Sequence, residues 1–441
     1  MTTMTPTAIA VDPGARHTRI AHLAADGTPT LADLPGTVPG EGLPTAAGAG
    51  GHHGAALRSA YTVYRERYGT PEQVVVVVPQ HDRAEHARRA TDVLTALHGT
   101  DPLPRLRALG TPHAVLALLR HAGTATGTRY TVCDLGATAA EVSGCALAPG
   151  TVAVTGSARH APADGFGAGL DRALLTAVGL PDDEDGWVAL AAARAEDGAA
   201  RRLDLALEQS ARHPGRYDGI MVHRVGGRDL GVGAVRQALE RLTTGLDSVL
   251  DTRPGTPVVT VGGGARFAPL VRHVTNRQGT PVELPEGTDP ALAAAFGAAL
   301  VAAGRIDPAD RYPYAVLVDT HRTAGGAPRA EELLICPAGA LEPGGATVFA
   351  QSEGRPVRIR TRPVGASAVR PVHVHVRAAR DGRPVPVGTL RIPAAEGARF
   401  HVGVRLAVDG EALLVLHPLG SGTPWEYPLG ALPTDIEGAR S

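Results

Sequence analysis

The stretch AIAVDPGARHTRIAHL, residues 8–23, reads as an apolar strand that ends on an acid, turns through small residues and runs back. Asp12 closes the first strand, Gly14, Ala15 and Arg16 make the turn, and residues 18–23 return. The design recurs in VCDLGATAAEVSGCAL, residues 132–147: Asp134 ends the strand, Gly136, Ala137 and Thr138 turn, and a second acid, Glu141, opens the return. An Asp at a strand end can meet Mg²⁺ or its water shell, and a small-residue turn lets backbone N–H groups approach phosphate oxygens. Either hairpin alone is equally an ordinary turn, because Gly and Asp are common turn residues.

Two glycine-rich bends extend the pattern. Residues 258–261 form a buried-strand run leading into Gly262, Gly263 and Gly264, with a helical stretch from residue 268. Glycines between strand and helix let a flat ring or a phosphate lie against the backbone, and a helix N-terminus favours negative charge. The run Gly165-Phe166-Gly167-Ala168-Gly169 precedes another helix at 170–178. Order and spacing make the four elements specific together where each is weak singly.

Working outward, residues 8–304 alternate β-branched runs with longer helical patterns, the mark of an α/β architecture. Asp82 and Glu85 suggest a capping box for a helix ending near Gly99, Thr111-Pro112 starts a second helix, and residues 232–250 show one apolar helical face. Residues 291–303 read as an amphipathic packed helix, and residues 36–54 as a flexible loop. From residue 312 helices vanish, and strand candidates from 314–319 to 413–417, separated by turns such as Asp381-Gly382 and Asp409-Gly410, predict an antiparallel sandwich.

Composition limits the functions. At 441 residues the chain is long enough for more than one core, and its net charge of -1 leaves no electrostatic footprint for nucleic acid or an anionic membrane. Its three cysteines, Cys133, Cys145 and Cys336, lie in apolar runs, as expected of reduced thiols in a cytoplasmic protein. The start MTTMTPTAIAVD has no basic segment, and no signal peptide or membrane span is expected. All 43 Lys or Arg positions are arginine, which excludes a phosphate-loop, Schiff-base or general-base lysine. His373 and His375 share one face of a strand and His52-His53 lie in the loop; with no third ligand at metal spacing, they read as surface residues.

The order of these motifs resembles the actin-like ATPase superfamily (ribonuclease H-like), most closely the heat shock protein 70 family. Residues 8–23 and 132–147 resemble its two phosphate hairpins, and VVVVVPQHDRAEHARRAT from Val74 the strand and helix between them. VVTVGGGARFAPLVRHV from Val258 is similar to the adenosine segment, and DPALAAAFGAALVAAG from Asp289 to the closing helix. Residues 333–365, 387–397 and 404–420 follow the order of the family's β-sandwich substrate domain.

The resemblance implies a nucleotide-binding domain over residues 1–305, a linker at 306–311, a β-sandwich over 312–430 and a tail at 431–441, without a helical lid. It implies ATP and Mg²⁺ as cofactors and an unfolded or extended polypeptide as client. Asp12 would help position Mg²⁺; Gly14, Ala15, Arg16, Gly136, Ala137 and Thr138 would face phosphates; Asp134 would orient water, with Glu141 as the second catalytic acid. Gly167 would lie near ribose, and Gly262, Gly263, Gly264 and Arg266 would flank adenosine. Ile335, Phe349, Val357 and Ile359 would form the apolar wall for peptide.

The family's catalytic lysine is missing, and Arg58, Arg65 and Arg67, near its place, offer a wide guanidinium for a compact ammonium. The expectation is therefore a chaperone with weak or absent hydrolysis; the alternative is a pseudo-ATPase scaffold or peptide-binding module. A small-molecule kinase of the same superfamily leaves the β-rich tail without a role.

Overall fold

The computed structural model describes residues 7–45, 53–125, 129–148, 151–213, 215–250, 255–308, 311–312, 314–324, 327–343, 345–352, 354–360, 369–378, 382–393, 398–407, 410–420, 422–433 and 436. His52, Asp381, Asp409 and residues 437–441 of the expected tail lie outside them. The fold is mixed α/β, with several sheets and an almost wholly β C-terminal part. Among the described residues no helix is long and apolar enough to cross a membrane. The chain divides into two compact units: Met1–Asp82, Arg89–Cys145 and Ser157–Asp307 form one, and Arg83–Arg88, Ala146–Gly156 and Pro308–Ser441 the other.

In chain order the first part runs β1 (Ala8–Pro13), β2 (His17–Leu23), β3 (Pro29–Leu31), β4 (Leu43–Pro44), α1 (His53–Tyr68), β5 (Gln73–Val78), α2 (Arg83–His98), β6 (Arg105–Gly110) and α3 (Thr111–His121). Then come β7 (Arg129–Leu135), β8 (Ala140–Ala148), β9 (Thr151–His160), α4 (Gly167–Ala177), α5 (Glu184–Ala195), α6 (Ala199–Arg212), β10 (Met221–Val225), β11 (Arg228–Gly231), α7 (Val232–Leu246), β12 (Val258–Val261), α8 (Ala268–Gln278) and α9 (Ala293–Ala302).

Two sheets share one plan. The first has the order β3-β2-β1-β5-β6, with β1 antiparallel to β2 and parallel to β5. The second has the order β12-β7-β8-β9, with β7 parallel to β12 and joined through a tight turn to β8. In each, the strand that ends on an Asp lies between its returning strand and a parallel partner. The five valines of β5 are all buried, as a parallel strand covered on both faces requires. Ile9, Val11, Tyr61 and Tyr64 anchor the core of the first sheet; Leu135, Phe166, Leu174, Val235 and Leu270 anchor that of the second.

Local expectations are corrected in three places. Asp82 takes a left-handed conformation and makes no side-chain cap to α2, so no capping box forms. Residues 36–45 are partly ordered on the first sheet, where β4 pairs with β2. Helix α9 is buried on nearly every face rather than amphipathic, because it packs against α3 as well as β1, β2 and β5.

The second unit contains β13 (Ala315–Ala324), β14 (Ala327–Cys336), β15 (Val348–Phe349), β16 (Gln351–Ser352), β17 (Arg355–Pro356), β18 (Arg358–Arg360), β19 (Val369–Arg377), β20 (Val385–Pro393), β21 (Arg399–Leu406), β22 (Glu411–Pro418) and β23 (Trp425–Ala431). Its sheets, β14-β13-β19-β20 and β15-β21-β22-β23, are antiparallel, and their inward residues form one core around Val316, Val374, Phe400 and Leu414.

Candidate functional site

Asp12 and Asp134 are each the penultimate residue of a strand, β1 and β7, in equivalent positions of the two sheets. The folded chain brings them into electrostatic reach of one another. Burial, and then the charges of Glu141 and Asp12, push the Asp134 carboxyl up to about 7, while Arg19 pulls it down. Burial also raises Asp12, again opposed by Arg19, whose Nη1 lies 3.7 Å from Asp12 Oδ2.

Around Asp134 the glycine-rich bends close in. Gly262 has φ +84°, and a Cβ there would stand 2.5 Å from Asp134 Oδ1 and 2.8 Å from Leu135 O, so any side chain is excluded. Gly264 rests on the same Leu135 backbone, whereas the Cβ position of Gly263 has nothing within 4 Å. The turn after β7 is latched to the start of α4. Gly167 N–H donates to Gly136 O at 3.1 Å, Ala168 N–H to Ala137 O at 2.9 Å, and Phe166 N–H to Thr138 O at 3.1 Å. Gly136, Ala137, Thr138, Gly167, Gly262, Gly263 and Gly264 therefore gather beside Asp134. On the first hairpin, Gly14 O accepts from Thr45 Oγ1 at 2.9 Å, and Ala15 is half-buried in the turn.

Three predicted residues are engaged elsewhere in the unit. Glu141 turns to the end of β5, accepting bonds from the backbone N–H groups of Gln80 (3.2 Å) and His81, and from Ser157 Oγ at 2.8 Å. Burial raises its carboxyl, and these bonds lower it. Arg16 pairs with Asp171 of α4 and lies 4.8 Å over the Trp187 ring. Arg266 holds Asp289, with Nη2 2.7 Å from Oδ2, and also Glu41. Arg58 and Arg65 lie on α1, where Arg65 bonds Leu97 O and Asp101.

Residues that the sequence did not single out complete the site. Arg19 faces Asp12 across the ladder and approaches Glu41 at 3.9 Å; Arg194 of α5 bonds Asp171 at 2.8 Å and covers Phe267. Arg16 Nη2, Arg19 Nε and Arg194 Nε and Nη2 are buried without a hydrogen-bond partner. Each such donor costs about 1–3 kcal/mol if nothing meets it, so the cluster is suited to an anionic ligand. Hairpin register alone could have flagged Arg19, since the turn sets residue 12 against residue 19.

In the second unit Ile335 is 1% exposed and belongs to the core, so it packs the sandwich rather than forming an open wall, a correction to the expected peptide site. Phe349, Val357 and Ile359 are half-buried. The Phe349 ring meets His401 and His417 edge-on, at centroid distances of 6.4 and 6.2 Å. All three cysteines are buried and free, and burial raises the Cys133 thiol to about 12, which leaves it unreactive.

No protein-family model matches this chain, and no curated protein matches it.

Proposed function

We propose that the first unit is a divergent actin-like domain that binds ATP with Mg²⁺ and hydrolyses it weakly or not at all. We further propose that the second unit binds extended polypeptide, as in a heat shock protein 70-like chaperone. The observation that carries the first part is the convergence of Asp12 and Asp134, from equivalent strands of two like sheets, beside the Gly262 bend. Orphaned buried guanidinium donors support an anionic ligand, and a carboxyl held up to about 7 by burial and then by neighbouring acids supports a cation.

In this reading Asp12 and Asp134 hold the metal, directly or through water, and Mg²⁺ when bound neutralises phosphate charge. Arg16, Arg19 and Arg194 donate to phosphate oxygens, and the Gly262–Gly264 bend lies against the nucleoside. Arg19 takes the place of the missing lysine as the nearest cation, with a fork rather than a point of charge. Weak turnover follows, because Glu141 is committed to structural bonds and phosphoryl transfer depends on positioned charge. Phe349, Val357 and Ile359 supply the apolar contacts for a peptide.

The second reading, a scaffold that binds no nucleotide, is favoured by Arg266, whose bonds to Asp289 and Glu41 occupy the group expected beside adenosine. Thermal unfolding with and without MgATP separates the two. Ligand at a hundred times its dissociation constant adds about 2.7 kcal/mol, a clear rise in melting temperature. An unchanged melting point at millimolar MgATP favours the scaffold.

A further inference from the structure

The outward face of the β14-β13-β19-β20 sheet carries a second set of convergent side chains, in the other unit and independent of the nucleotide reading. Val316, Val318, Val374 and Val376 point into the core, so the residues between them point out. Strand register then does what sequence spacing cannot. Asp319 on β13 is directly opposite Glu332 on β14, and His375 on β19 is opposite Leu317, two residues along the same face from Asp319. Three strands thus deliver an imidazole and two carboxylates to one point.

His375 Nε2 lies 3.1 Å from Glu332 Oε1, and Nδ1 lies 3.8 Å from Asp319 Oδ1. One ligand atom from each residue falls within 4.8 Å of the others. Tetrahedral metal bonds of about 2.0–2.2 Å set ligand atoms about 3.3–3.6 Å apart, and Glu332 Oε1 stands near that spacing from Nε2. The exposed Asp319 carboxylate faces the other ring nitrogen and has to rotate toward Nε2 on binding. The imidazole is 7% exposed while both carboxylates reach solvent, and the three line a groove of about 460 Å³ together with His373 and Thr389.

We propose that Asp319, Glu332 and His375 bind a divalent cation of borderline softness, Zn²⁺ or a similar first-row ion, which pins β13, β14 and β19 together. One imidazole with two carboxylates suits such ions, whereas Mg²⁺ and Ca²⁺ prefer oxygen alone. Arg377 bonds the second oxygen of Glu332 and orients the carboxylate, as an outer contact of a metal ligand does. The metal-free alternative is an imidazolium ring bridging two carboxylates, and it predicts no affinity for the ion.

The test uses the full chain, stripped with EDTA and titrated with ZnCl₂ by calorimetry alongside thermal unfolding. One equivalent should bind and raise the melting temperature. Asp319→Asn and Glu332→Gln, both at exposed positions that leave the core intact, should each weaken binding at least about tenfold, as should His375→Ala. Asp229→Asn, which removes an exposed carboxylate of β11 paired with Arg224, should leave the zinc isotherm unchanged. Absence of binding at 100-micromolar-order zinc (about 0.1 mM, far above the range of structural zinc sites) overturns the proposal. So does an isotherm unaffected by Asp319→Asn and Glu332→Gln, or one abolished by Asp229→Asn.

Discussion

Arg19 stands directly opposite Asp12 in the β1–β2 ladder, and its Nη1 lies 3.7 Å from the Asp12 carboxylate. That guanidinium is the nearby charge opposing the rise in pKa of both Asp12 and Asp134. Its Nε is buried without a partner, which leaves it able to meet a ligand oxygen.

Replacing it should therefore have two effects. Arg19→Met leaves Asp12 without its counter-ion and should destabilise the chain by on the order of 3 kcal/mol at pH 8, as loss of one partner of a buried pair does. The melting shift given by MgATP should shrink as well. Urea unfolding and a ligand melt measure both, and a full MgATP shift in Arg19→Met removes Arg19 from the site.

Asp134 predicts the pH dependence. Its folded carboxyl is raised to about 7, so between the ordinary carboxyl range and pH 7 the native chain keeps a proton that the unfolded chain has released. Stability contributed by this group is present at acid pH and falls as pH rises through that window. Asp134→Asn should flatten the melting profile between pH 5 and 8 and raise the melting point at pH 8. Mg²⁺ must displace the same proton, so its affinity should climb by up to about tenfold per pH unit below 7.

Glu141 is expected to behave as a structural acid. Glu141→Ala strands the N–H groups of Gln80 and His81, at about 1–3 kcal/mol for each donor left unmet. Glu141→Gln keeps an acceptor and should lose less. Chemical denaturation of the two variants gives the comparison; equal stability of Glu141→Ala and wild type would mean that the carboxylate is free for chemistry.

The glycine bend separates packing from binding. Gly262→Ala places a Cβ 2.5 Å from Asp134 Oδ1 at a positive φ and should cost more than about 1 kcal/mol. Gly263→Ala meets no atom within 4 Å and should change stability by less than about 0.5 kcal/mol. If a nucleoside lies on the bend, Gly263→Ala should nonetheless weaken the MgATP shift.

Local patterns fixed much of what could be read early. The β5 valines, the acid-ended strands and the alternating apolar residues after 312 were legible because strand burial is written as a period of two or as a continuous run. No capping box forms at Asp82 because that residue takes a left-handed conformation in which its side chain makes no bond to the helix N-terminus. Helix α9 is buried on nearly every face because its covering partners, α3 and the first sheet, come from distant parts of the chain, which local periodicity does not record.

From its residues alone, this protein has two acid-bearing hairpins, a triple-glycine bend, no lysine and a β-rich stretch from residue 312 onward. Those are properties of adjacent residues, set by backbone sterics and composition. Tertiary structure decided which distant charges meet: Arg16 with Asp171, Arg266 with Glu41 and Asp289, and His375 with Asp319 and Glu332. Charge pairs of this kind depend on strand register and helix docking, and a shift of one residue in register turns a side chain to the opposite face.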